Sequence, residues 1–381
     1  MNLASLPMLG WIAGTVALTW ISPRKMQPAM IIIVGIVFLG IYSPVSLVFL
    51  GVLSMGTLTL IKKMPRSVIP MAAMTLLVVI LLTAYKWNRG INPRDPSFAI
   101  IPLGLSYYSL RIVHFVSDQW RGAIGKFSTR DFLAYMMFLP TLMAGPINRF
   151  QGFARSLRRR RWDSRLFSLG LERILYGYFK IVILANLLVN QYLVLLIQTG
   201  GSAGDAWILY LKCVKYGLNL YFQFAGYSDI AIGFALLLGF RVEENFHFPF
   251  LAVNINDFWK RWHITLSSWC RDYIYITIRA IRGNAAVAVI LAMLVLGVWH
   301  EFSWRYIIWG LYHGVGIALW QGFQWFKPRF LRPFVNRMGF AGTFLAWALT
   351  MNFVILGFAI AKAPDLSSAW RTFRIILHLG G

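Results

Sequence analysis

A chain of 381 residues that is 58% hydrophobic and only 13% charged, with a mean hydropathy of +0.63, is too apolar for a soluble globular domain and is expected to be an all-α, polytopic membrane protein. Its net charge of +24 comes from 37 Lys+Arg against 13 Asp+Glu scattered between apolar runs, which fits the positive-inside rule and excludes nucleic acid as the partner. Two cysteines, Cys213 and Cys270, cannot build a disulfide framework or a zinc site, and nucleotide loops, EF-hand loops and His-Glu-x-x-His are missing, so no metal or other cofactor is expected.

A span needs ~20 mostly apolar residues. Windows near 4–22, 29–42, 44–61, 68–84, 98–117, 130–147, 169–198, 205–240, 284–300, 304–323 and 340–361 predict roughly ten or eleven passes. The N-terminal stretch has no basic n-region and no small-residue cleavage pattern, and reads as a retained first span. The "GSAG" at 201–204 reads as a loop, and no internal repeat is visible. One integral-membrane domain is expected over 1–381, with N-terminal spans to residue 100, a core over 101–320 and C-terminal spans over 321–381.

Ionisable residues inside apolar sequence are expensive and mark a functional path or a buried network. In "PLGLSYYSLRIVHFVSDQWRG" (102–122), Arg111, His114 and Asp118 recur three and four apart on one helical face, which suits an internal Arg111–Asp118 pair, with His114 the alternative channel-lining group. "FLPTLMAGPINRF" (138–150) places Pro140, Gly145 and Pro146 in an apolar stretch and predicts a kinked span end. The cluster "RFQGFARSLRRRRWDSR" (149–165) reads as cytoplasmic; it either sets topology and meets lipid headgroups or, through Arg158, Arg159, Arg160 and Arg161, docks an acidic cytosolic partner.

Further on, 245–276 interleaves Asn254, Asp257, Lys260, Arg261, His263, Arg271 and Asp272 with Trp259, Trp262, Trp269 and Tyr273. That is too polar to face lipid and too aromatic for a solvated loop, so re-entrant or interfacial helices are expected. The stretch "LGVWHEFSW" (296–304) then ends an uncharged run on Trp299, His300 and Glu301, and His313 follows. A lone buried histidine is usually structural. His263 and His300, each in a Trp-rich polar break, together favour chemistry.

With "AGPI" (144–147), "YFQFAGYSDIAIG" (221–233), "NFHFPF" (245–250), "DFWKRWHITLSSWCRDYIYI" (257–276) and "VWHEFSWRYIIWGLYHG" (298–314) in this order, the chain resembles the membrane-bound O-acyltransferases in their bacterial polysaccharide and teichoic-acid branch. The resemblance implies a helical bundle around a funnel, His300 as catalytic base, His263 as its assistant, and a substrate surface including Tyr227, Ser228, Asp229, Asn254, Trp299 and Glu301. Many relatives carry Gly after the catalytic His; here it is Glu301, which can pair with Arg305 four residues on if the helix continues.

Acyl transfer to a hydroxyl needs a base, a route for an activated acyl group and stabilisation of the oxyanion. Burial is expected to keep the His300 imidazole neutral, while His263 or Asn254 polarises the donor carbonyl. The expected donor is a cytosolic acyl thioester on an acyl-carrier protein; the acceptor is an envelope polymer outside the plasma (inner) membrane, with a separate extracytoplasmic acyltransferase as a possible partner. A multi-pass transporter or flippase of a glycan precursor is the rival reading.

Overall fold

A computed structural model describes residues 5–91, 103–143, 145–199, 204–330 and 339–378. Among these residues all regular structure is helical. In chain order the helices are α1 (Leu6–Ile21), α2 (Gln27–Tyr42), α3 (Pro44–Lys63), α4 (Val68–Ile91), α5 (Leu105–Trp120), α6 (Thr129–Met136), α7 (Phe150–Arg159) and α8 (Ser164–Phe179). A π-helical stretch, Lys180–Tyr192, carries α8 into α9 (Leu193–Thr199), and the long α10 (Asp205–Leu237) follows. Short helices α11 (Ile255–Arg261), α12 (Ile264–Cys270) and α13 (Ile276–Arg282) lead to α14 (Ala285–His300), α15 (Trp304–Phe330), α16 (Gly339–Lys362) and α17 (Leu366–Ile376). Most of the "GSAG" loop, the start of the 98–117 window and Ala144 of "AGPI" lie outside the described residues.

The helix starts follow local chemistry. Prolines in the first turn open α1, α2 and α3, where a missing N–H costs nothing. Side chains of Ser128, Asp163, Asn284 and Asp365 accept backbone N–H bonds at the starts of α6, α8, α14 and α17. Five helical stretches are long and apolar enough to cross a bilayer, at 44–63, 68–85, 164–198, 205–237 and 339–362, and three shorter apolar helices cover 7–21, 27–42 and 285–300. The protein is therefore polytopic. The helices at the 98–117 and 304–323 windows are less apolar, because α5 carries Arg111, His114 and Asp118 and α15 carries Arg305 and His313.

The chain divides into two compact units, residues 1–181 with 224–244, and residues 182–223 with 245–381. In the first unit the 130–147 window does not form a span. It is broken into α6, a single 3-10 turn at Leu139–Thr141 and extended chain, nearly all of it buried. The freed carbonyls of Tyr135 and Thr141 accept hydrogen bonds from the fully buried Arg111 guanidinium. Arg111 is thus committed to broken backbone, and the expected Arg111–Asp118 pair is not formed.

Asp118 instead meets His114 Nδ1 at 3.3 Å and accepts a bond from Gln151 Nε2 at 2.5 Å. His114 Nε2 accepts from the Phe150 backbone N–H at 2.9 Å, so this nitrogen carries a lone pair and the ring is the neutral tautomer. His114 ties α5 to the start of α7 and does not line a channel. Around it Phe115, Phe132, Tyr135, Phe150, Phe153 and Phe240 pack with centroids 4.5–5.6 Å apart, edge-on or tilted except for Phe153 stacked on Phe240. In the same unit α8 and α10 approach at Gly177, where a Cβ would lie 2.7 Å from the Gly226 carbonyl, so only glycine permits that distance.

Candidate active site

In the second unit the polar 245–276 segment is folded back on itself by Asn245. This fully buried residue accepts Ile264 N–H on its backbone carbonyl at 2.8 Å, and its side-chain oxygen takes Thr265 Oγ1 at 2.9 Å and His263 Nδ1 at 3.0 Å. His247 N–H also bonds the Arg261 carbonyl at 2.9 Å. His263 sits between α11 and α12 with φ +45°, a left-handed conformation that histidine tolerates better than branched side chains do. With Nδ1 donating to Asn245, the lone pair of the buried ring is on Nε2.

His300 is the last residue of α14. Its ring lies against Trp299 at 4.9 Å, Tyr306 at 5.9 Å and Trp309 at 5.6 Å between centroids. Trp309 also contacts Trp259 of α11 and the buried His313, which links the "FWKRWH" helix to the His300 corner. His300 and His263 lie within electrostatic reach of each other. One expectation is corrected: His300 is exposed at the surface of the chain while His263 is buried, because α14 stops at His300 and leaves its side chain on the helix end. Burial therefore does not account for a neutral His300; accessibility to a reactant is what its position supplies.

The corner itself depends on a close approach of α14 and α15. A Cβ on Gly297 would overlap the Tyr306 carbonyl oxygen, and one on Gly310 would lie 2.5 Å from the Met293 carbonyl. Glu301 adopts extended backbone beyond the end of α14, and its Oε2 meets Arg305 Nη2 at 2.7 Å. The pair expected from the sequence forms, but not on a continuing helix, since α15 begins only at Trp304. Arg305 also donates to the carbonyls of Ala361 and Ala363 at the end of α16.

Asn254 is occupied locally: its Oδ1 accepts the Asp257 N–H at 2.8 Å and caps α11. It also borders a groove of about 540 Å³ between α15 and α16, walled by Trp320, Leu349 and Phe353. Tyr227, Ser228 and Asp229 belong to the other unit. There the buried Asp229 carboxylate is held by Arg173 at 2.8 Å and Lys180 at 2.5 Å, with Glu244 on the far side of Arg173. That carboxylate neutralises two cations, Arg173 and Lys180. Of the arginine run, Arg158, Arg159 and Arg161 are exposed. Arg160 is not: it is 5% exposed, bonds Gln27 and lies over the rings of Trp20 and Phe240, so it is unavailable to a partner.

Asn245, Tyr306 and Trp309 are site residues that motif reading passed over. Asn245 opens the quoted "NFHFPF", and an Asn before an aromatic-rich polar break is a signal for a side chain that must satisfy turned backbone.

The probable alginate O-acetylase AlgI of Azotobacter vinelandii is 34% identical over 306 residues, covering 78% of this chain and 58% of that protein. The peptidoglycan O-acetyltransferase of Helicobacter pylori is 30% identical, covering 74% and 58%, and the teichoic acid D-alanyltransferase of Bacillus subtilis is 30% identical, covering 71% of each. The chain thus spans less than two thirds of the length of the alginate relatives it matches. The model of the membrane-bound O-acyltransferase family matches residues 40–361, a range that contains both site histidines and the whole Asn245-held break, and the chain belongs to that family.

Proposed function

We propose that this protein is an O-acyltransferase of the plasma (inner) membrane. It moves a short acyl group, acetyl or D-alanyl, from a cytosolic thioester to hydroxyls of an extracytoplasmic envelope polymer. The observation that carries the reading is His300: an exposed imidazole at the end of an apolar helix, walled by Trp299, Tyr306 and Trp309 and within reach of His263. Relatives named for acetylating alginate or peptidoglycan and for D-alanylating teichoic acid support the same class of reaction.

In this mechanism His300 accepts the proton of the acceptor hydroxyl as its oxygen attacks the thioester carbonyl carbon. The carbonyl electron pair moves to oxygen, and a donor beside it stabilises the oxyanion; the side-chain NH2 of Asn254 is the candidate, since His263 gives its one ring proton to Asn245 and shapes the site. Collapse re-forms the carbonyl, breaks the C–S bond and returns the proton from His300 to the leaving thiolate. Direct transfer is favoured over an acyl-enzyme because Cys270 is buried. The exposed Arg158, Arg159 and Arg161 would receive an acidic acyl-carrier protein on the cytoplasmic side.

The test is His300→Ala and His263→Ala, with expression and membrane insertion verified, scored by ester-linked acyl groups on the envelope polymer. Loss of the ester with His300→Ala is expected. Full ester content in that variant would overturn the assignment, and thioester-independent export of polymer by vesicles would point to the transporter reading.

A further inference from the structure

Four amide side chains face one another in the second unit. Asn190 Nδ2 donates to Asn219 Oδ1 at 2.9 Å, and Gln223 Nε2 donates to Asn186 Oδ1 at 2.7 Å. Asn186 and Asn190 stand four apart on the π-helical stretch, and Asn219 and Gln223 four apart on α10, so the pairs form a ladder between two helices. Both helices belong to stretches apolar enough to span a bilayer.

Each pair uses one N–H and one carbonyl, and every amide offers two N–H donors and a two-lone-pair oxygen. A ladder that served only to bind the helices together would be buried. Here Asn186 is exposed and the other three are only partly covered. Hydrocarbon cannot satisfy such groups, so this face meets water or a polar ligand. It also leads to the candidate active site: Tyr216, one turn before Asn219 on α10, is within electrostatic reach of Glu301 and Arg305, the pair that follows His300. The π-helical geometry on the other side of the ladder is a feature that recurs at functional sites.

We propose that Asn186, Asn190, Asn219 and Gln223 form a hydroxyl-binding subsite at membrane depth that holds the acceptor chain on its way to His300. Amides suit this ligand because each can donate to one hydroxyl and accept from the next without adding charge. The subsite rests on the acyltransferase reading for its purpose, but its occupation requires no acyl transfer and can be measured separately.

The experiment uses the full chain in nanodiscs, carrying Asn186→Cys or Leu188→Cys, and a hydrophilic maleimide. The unmodified protein, with Cys213 and Cys270 buried, sets the blank. Leu188 is 45% exposed on the same stretch and stands for a lipid-facing position. Asn186→Cys is expected to react roughly tenfold faster than Leu188→Cys, since hydrocarbon excludes the reagent. Millimolar maltohexaose or poly(glycerol phosphate) is expected to slow that reaction roughly fivefold, as mass action requires when the polymer exceeds its dissociation constant. Protection by the first identifies a glycan and by the second a polyol phosphate. Equal reactivity at the two positions overturns the proposal, and so does a fast reaction that neither polymer slows. Protection that persists while His300→Ala retains full ester content would sink the catalytic reading and leave the subsite standing.

Discussion

Glu301 and Arg305 form a 2.7 Å ion pair across a gap in which no helix runs: α14 ends at His300 and α15 starts at Trp304. Arg305 reaches on to the carbonyls of Ala361 and Ala363, so it joins the His300 corner to the end of α16. Losing Arg305 should therefore hurt more than losing Glu301. Arg305→Gln is expected to cost about 1.5–3 kcal/mol, the range for hydrogen bonds to a charged group, and to lower turnover. Glu301→Gln, which leaves both carbonyl contacts in place, should cost under about 1 kcal/mol. Thermal unfolding of the purified variants in detergent orders the two; an equal loss would contradict the bridging role of Arg305.

Asn245 holds His263 and Thr265 together at one buried oxygen. Asn245→Ala removes that oxygen and strands two buried donors, at roughly 1–3 kcal/mol each. Acyl transfer is expected to fall at least tenfold, with His263 no longer fixed. Asn245→Asp keeps an acceptor in place and should recover part of the folding stability. Parallel measurements of activity and melting temperature on the two variants check both points.

Gly297 tests the helix approach that sets the His300 corner. Gly297→Ala forces a methyl into the Tyr306 carbonyl, and overpacking of this kind costs about 1–3 kcal/mol. Gly51→Ala, where nothing lies within 4 Å of an added Cβ, is the harmless comparison. The expected outcome is reduced transfer by Gly297→Ala and unchanged transfer by Gly51→Ala, at matched protein levels in membranes.

The arginine run separates into two behaviours. Arg159→Glu and Arg161→Glu alter exposed side chains and should weaken capture of an acidic carrier, most strongly at low salt, while leaving folding intact. Arg158→Glu should do the same but also lose the 3.6 Å pair with Asp131, at a cost of about 0–1 kcal/mol. Arg160→Ala strips the contacts to Gln27, Trp20 and Phe240 and should lower stability instead. Carrier pull-down across a salt series, beside thermal unfolding of the same proteins, distinguishes them.

The amino-acid sequence by itself determined that the chain is helical and membrane-embedded, because long uncharged runs have no other stable setting. It also marked His263 and His300, since a titratable ring in a Trp-rich break stands out against apolar surroundings. The short helices of 245–276 were legible for the same reason: polar and aromatic side chains alternate too closely for either lipid or water. Tertiary structure decided the partners. Spacing put Arg111 on the face of Asp118, yet the broken chain after α6 offered unsatisfied carbonyls, and a buried guanidinium goes to whichever acceptors would otherwise be left bare. Asp229 stood in a family motif, and two cations 49 and 56 positions earlier in the chain claimed its carboxylate. Arg160 was one of four identical letters in a row, and only packing onto Trp20 and Phe240 separated it from its neighbours. The amide ladder belongs here too, since Asn186 and Gln223 meet across 37 residues. Local chemistry is written in the order of the residues, but which donor meets which acceptor is settled by the competition of all buried groups for partners, and that competition exists only once the chain has folded.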